Sequence, residues 1–160
     1  MIDDSLSRRI IVYAGVSGAL GVLLGAFSAH GLEDVLNDFV YTDLVEAGQT
    51  DLVEAGGTDP TDAGQIDLVD RRLSQFDVGV RYHLIHSVAL LALSAVPFGS
   101  PTSRRWVCRL FVIGIFLFSG SLYALVLSNV PQLGMVTPLG GICWIVGWLM
   151  LLQVARPSSK

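Results

Sequence analysis

Three histidines are the first residues to question, because an imidazole can take or give a proton near neutral pH and can ligate a metal. His83 and His86 stand three apart in "YHLIHS", a spacing that sets both on one face of a helix. His30 closes the block "LGAFSAH". Hydroxyls accompany them: "LFSGSLY" carries Ser119, Ser121 and Tyr123, and "GMVTPLGG" carries Thr137. All lie in or beside strongly apolar runs, where a polar group must find a partner. Two or three imidazoles could hold zinc, copper or haem iron. If a metal binds, His30, His83 and His86 are its ligands. However, H-x-x-H alone is a weak signal, and no cysteine or carboxylate completes a ligand pattern. The simpler expectation is a hydrogen-bonded network that joins helices, with no cofactor and no metal.

The rest of the chain narrows the chemistry further. It contains no Ser-His-Asp arrangement, phosphate loop or dinucleotide fingerprint, so no enzyme activity is expected. No basic patch suits a nucleic acid. No carboxylate falls inside an apolar run, which weakens a proton-coupled transporter. Cys108 and Cys143 occupy separate apolar runs and read as small core residues rather than a disulfide framework.

The elements that must position these residues are transmembrane helices. Hydrophobic residues make up 52% of the 160-residue chain and charged residues only 15%, against roughly 25% charged in soluble domains. A span needs about 20 mostly apolar residues. Segments 10–29, 106–127 and 134–154 satisfy this, and the shorter 82–98, with two histidines at its start, is credible between them. The predicted fold is an all-α, four-helix membrane bundle in one domain. A cleaved export signal is a rival reading of "SRRIIV" and the run after it. That run is near 20 residues, longer than the roughly 7–15 of a signal's apolar core.

Charge sets an expected orientation. Residues 33–81 hold twelve acidic residues and three arginines, a net of −9, whereas the remainder holds seven basic and two acidic, a net of +5. Arg8 and Arg9 precede the first span, Arg104 and Arg105 the third, and Arg156 and Lys160 follow the fourth. Basic residues collect on the cytoplasmic side, so both termini are expected there. The polar residues would then lie in the outer leaflet, with Tyr82 and Trp106 at interfaces.

Two further patterns concern packing. Ser17, Gly21, Gly25 and Ala29 repeat every four residues in the first span, Gly120 lies in the third, and Gly140 and Gly141 lie in the fourth. Small residues at such spacing let helix backbones approach closely. The octapeptide "TDLVEAGQ" (42–49) recurs as "TDLVEAGG" and decays over 58–73. Its period of eight matches neither a coiled coil nor a calcium repeat. It reads as an acidic, solvated, mobile extramembrane insertion over 33–77 between the first two helices, duplicated in tandem, with little apolar payload.

The blocks "LGAFSAHGL" (24–32), "GVRYHLIHSVALLAL" (79–93), "LFSGSLYAL" (117–125) and "GMVTPLGGICWIVGW" (134–148) resemble, in order, those of the YgdD-like family of small membrane proteins, the DUF423 or UPF0382 type. The resemblance implies a four-helix inner-membrane protein and no particular activity. Carried over by match, its recurring residues are Gly25, Ala26, His30, Tyr82, His86, Ser119, Gly120, Ser121, Tyr123, Thr137, Pro138, Gly140 and Gly141. Ser28 stands where the family pattern has glycine, and the family's first connection is shorter, so the acidic repeat is an addition to it. The function expected is that of a non-enzymatic accessory or assembly factor, whose partners are the lipid bilayer and other membrane proteins or a second copy. A haem- or metal-binding redox module and an oligomeric channel or small-solute transporter are the alternatives.

Overall fold

Backbone that crosses lipid must satisfy its own hydrogen bonds, and long apolar runs without period-two alternation do so as helices. The computed structural model describes residues 4–46 and 60–155. Its elements are α1 (Asp4–His30), α2 (Leu32–Glu46), α3 (Pro60–Ala95), α4 (Pro101–Gly114), a π-helical stretch (Ile115–Gly120), α5 (Ser121–Ser128), a 3₁₀ stretch (Pro131–Met135) and α6 (Thr137–Val154). Among the described residues, four helical stretches are long and apolar enough to cross a membrane: Ser5–His30, Asp67–Ala95, Pro101–Ser128 and Pro131–Val154. The third joins α4, the π stretch and α5 end to end.

Local chemistry explains the breaks. Val96 precedes Pro97, which disfavours helical backbone before it, and α3 ends at Ala95. Gly99 then adopts φ +87°, packed so closely on Val154 that an added Cβ would lie 2.5 Å from its carbonyl oxygen. The Ser100 hydroxyl caps α4 by accepting from the Ser103 N–H at 3.1 Å, and Pro101 takes the first turn. Asn129 closes α5 in the left-handed conformation, φ 52°, and its side-chain oxygen accepts from Arg72 of α3.

Two expectations require correction. The second span extends well upstream of 82, and the described parts of the acidic connection are helical rather than looped. Residues 33–46 lie in α2 and 60–77 in α3; the repeat units between, 47–59, lie outside the described residues. The acidic stretch also carries an apolar payload. Leu32 and Leu36 of α2 are fully buried against Val69, Phe76 and Val80 of α3 and Val126 of α5. The acidic residues had masked this stripe: Val69, Phe76 and Val80 fall at i, i+7 and i+11, one helical face.

Two apolar clusters result. The first gathers Leu6, Ile10 and Ala14 of α1, Leu90 and Leu93 of α3, Val107, Cys108 and Phe111 of α4, and Trp144 and Val154 of α6. The second is the α2-centred cluster. Helix α1 packs chiefly along α3, and α4 along α6.

Candidate functional site: a polar layer between two apolar clusters

Along α1, α3 and α4–α5 alike, the polar side chains fall between these clusters. On α3 the order is Phe76 and Val80, then His83, His86 and Ser87, then Leu90 and Leu93. The site therefore occupies the middle of the bundle, not one end of the helices. Its placement follows from the upstream extension of α3, which puts a second core beyond the histidines.

His83 is buried, with Ser17 Oγ 3.0 Å from its Nε2 and the Tyr123 hydroxyl 3.2 Å from its Nδ1. Ser17 and Ser87 hydroxyls lie 2.7 Å apart, and Ser87 donates to the His83 carbonyl at 2.9 Å. Each hydroxyl owns one proton, and that fixes every direction. Ser87 spends its proton on the carbonyl, so it accepts from Ser17. Ser17 then accepts from His83 Nε2–H. His83 Nδ1 is left bare and accepts from Tyr123. One neutral tautomer satisfies the whole chain and ties α1, α3 and α5 together.

His86 takes the opposite tautomer. Its Nδ1–H donates to the Tyr82 carbonyl at 2.8 Å, and its Nε2 accepts the Trp148 indole N–H at 3.3 Å. Its ring stacks on Trp144 with centroids 3.7 Å apart and planes within 6°. Tyr82, expected at an interface, is exposed and joins this aromatic group, stacked 5.7 Å from Trp144 and tilted 5.1 Å from Phe118. Trp144 in turn donates to the Phe111 carbonyl at 3.2 Å. Helix α6 is thus hung on α3 and α4 by its indoles.

Of the remaining predicted residues, Ser121 donates to the Phe118 carbonyl at 2.9 Å and lies 2.8 Å from Thr137, joining α5 to α6. Ser119 is fully buried one turn before Tyr123. His30 departs from the expectation: it is exposed at the end of α1 and does not join the other histidines. Among the described residues, no three His, Cys, Asp or Glu side chains gather closely enough to hold a metal ion.

The small residues divide in the same way. A Cβ on Gly21 would fall 2.7 Å from Leu84, and one on Gly25 3.2 Å from Val80, so the α1 stripe packs on α3. A Cβ on Gly140 would overlap the Phe118 backbone nitrogen. Ala29 is exposed, while Gly120 and Gly141 would gain nothing closer than 3.9 Å and 4.0 Å. These three are not close-packing positions. Sequence reasoning missed Gly114, where a Cβ would overlap the Trp144 indole nitrogen, and Gly79, where it would fall 2.9 Å from the Tyr123 ring. It also read Arg104 only as an orienting charge. Arg104 is buried, and its guanidinium donates to Ser7 of α1 and to the Leu93 and Ser94 carbonyls, at 3.0, 3.3 and 3.3 Å. A cation there complements the C-terminal end of α3; an arginine just after that helix was the available signal.

Comparison with known proteins matches the DUF423 family, described as proteins of unknown function, to residues 24–141. The chain belongs to the DUF423 family. The UPF0382 membrane protein YwdK of Bacillus subtilis is 34% identical over 92% of this chain and 96% of its own length. The UPF0382 inner membrane protein YgdD of Escherichia coli is 30% identical over 96% and 95%. A UPF0382 membrane protein of Haemophilus influenzae is 30% identical over 97% and 99%. No solved structure matches. The DUF423 match contains His83, His86, Tyr123 and Gly140. It also contains Ser28, whose hydroxyl donates to Asp77 at 2.6 Å and adds a tie between the end of α1 and α3.

Proposed function

We propose that this DUF423 protein is a non-enzymatic accessory or assembly subunit of a bacterial inner membrane, with both termini in the cytoplasm. The observation that carries the reading is the closure of the polar layer. Both ring nitrogens of His83 and of His86 are engaged by the protein's own side chains or backbone. Groups satisfied in this way hold helices together, and a ligand would have to displace them. Apolar side chains cover the outside of α1 and α6, including Val22, Leu23, Ile145 and Leu149, surfaces suited to lipid or to the helices of other membrane proteins.

Purification in mild detergent without added metal, followed by absorption spectroscopy and elemental analysis, tests the reading. A colourless, metal-free protein that cross-links to a defined membrane partner is the expected result. Haem or stoichiometric metal, lost in His83→Ala with His86→Ala, overturns it, as does solute-dependent flux in liposomes.

A further inference from the structure

Where α1 and α4 begin, three arginines converge on one cavity. It has a volume of about 360 Å³ and takes Arg9 from α1 and Arg105 and Arg109 from α4 into its wall. Arg105 and Arg109 are four apart and share a helical face, a like-charge spacing that disfavours a helix on its own. Arg109 is held in place over Trp106, its guanidinium carbon 5.2 Å from the ring centre. The neighbouring arginines are used differently: Arg104 turns inward as a clamp on α3, and Arg8 does not line the cavity.

A second cavity, also about 360 Å³, continues along the same seam. Its walls include Val16, Leu20 and Leu23 of α1 and Val112, Ile115 and Phe116 of the third span. Tyr13 lines both cavities. The seam is open because α1 spends its packing face on α3 and touches α4 little. A guanidinium cluster leading past one tyrosine into an apolar groove has the amphipathic pattern of a single lipid molecule. Guanidinium groups match phosphate oxygens in charge and geometry. Basic pockets between membrane helices suit anionic headgroups.

We propose that the α1/α4 seam binds one anionic phospholipid, its phosphate held by Arg9, Arg105 and Arg109 and an acyl chain lying past Tyr13 in the apolar groove. Phosphate is the chemistry recognised, and the groove selects a lipid over a soluble phosphate.

The test is native mass spectrometry of the full delipidated chain, titrated with phosphatidylglycerol, with phosphatidylcholine and with inorganic phosphate. One saturable phosphatidylglycerol is expected, with phosphatidylcholine weaker by about tenfold or more. Arg9→Gln and Arg109→Gln should each weaken binding roughly fivefold, in line with about 1 kcal/mol per arginine at a membrane surface. Arg8→Gln should leave it unchanged. Phe116→Trp, which fills the groove but leaves the arginines, should weaken the lipid and not inorganic phosphate. Equal binding of the two lipids overturns the proposal, as does equal loss in Arg8→Gln and Arg9→Gln. Competition by inorganic phosphate at concentrations comparable to the lipid's overturns the lipid assignment. Should Arg109→Gln not fold, the exposed Arg9 carries the same test.

Discussion

At the scale of single residues, two adjacent glycines make the sharpest contrast. Gly140→Ala sets a methyl against the Phe118 backbone, which cannot swing aside, whereas Gly141→Ala meets ordinary contact. Overpacking costs about 1–3 kcal/mol, so Gly140→Ala should lower the melting temperature in detergent and Gly141→Ala should not. Ser17→Ala breaks the directed chain at its centre. Interhelical polar contacts average about 0.6 kcal/mol and reach about 1.7; because Ser17 serves both His83 and Ser87, its loss should fall toward the upper figure. His86→Ala removes both the Trp144 stack and the Trp148 bond and should melt lower still; an unchanged melting curve would remove the structural role assigned to it. Much of this was legible from spacing, but only locally. A step of four residues turns a helix by about 400°, a drift of 40° each time. Three steps from Ser17 carry Ala29 about 120° round the axis and out of the seam, while Ser28, eleven residues on, returns to it. His30 was grouped with the other histidines by level, and the level was wrong: Ser17 is the α1 residue that meets His83, and His30 lies thirteen residues, about 20 Å, further along the helix.

At the scale of elements, the π-helical stretch Ile115–Gly120 decides the register of everything after it. A π turn is an α-helix with one residue added. Deleting Phe116, which is exposed, should turn the stretch into plain α-helix and leave Tyr123 facing His83, because the π turn already absorbs the extra residue, whereas deleting Leu122, downstream of the π turn, should rotate Tyr123 by about 100° away from His83. Loss of thermal stability in the second deletion but not the first, with helical circular dichroism kept in both, is the expected signature. This stretch was invisible in the sequence, because "IFLFSG" is equally apolar in either winding. Helix α2 was missed for a different reason: its acidic residues dominate composition, while its buried leucines are few. Leu36→Ala should cost about 2–5 kcal/mol, read as a lower melting temperature and faster proteolysis between α1 and α3. The four apolar runs themselves were legible, since length and apolarity are all that crossing a bilayer demands.

At the scale of the whole molecule, the charge asymmetry makes a topological prediction. Seven basic residues lie outside the acidic stretch and three inside it, so reporter fusions at both termini should show cytoplasmic activity, and a fusion within 47–59 should not. Exposure of the termini to the opposite side would reverse the assignment of every face. The long separation between α1 and its partner has a further consequence, in time. Ser17 and His83 are 66 residues apart in the chain. At a synthesis rate of about 5–20 residues per second, α1 waits roughly 3–13 s for the helix that receives it. During that interval its glycine seam lies uncovered and the Ser17 hydroxyl has neither His83 nor Ser87 to bond. The first span of this protein is therefore a lodger in the membrane before it is part of a bundle, open to capture by an insertion factor or by the same span of another newly made chain.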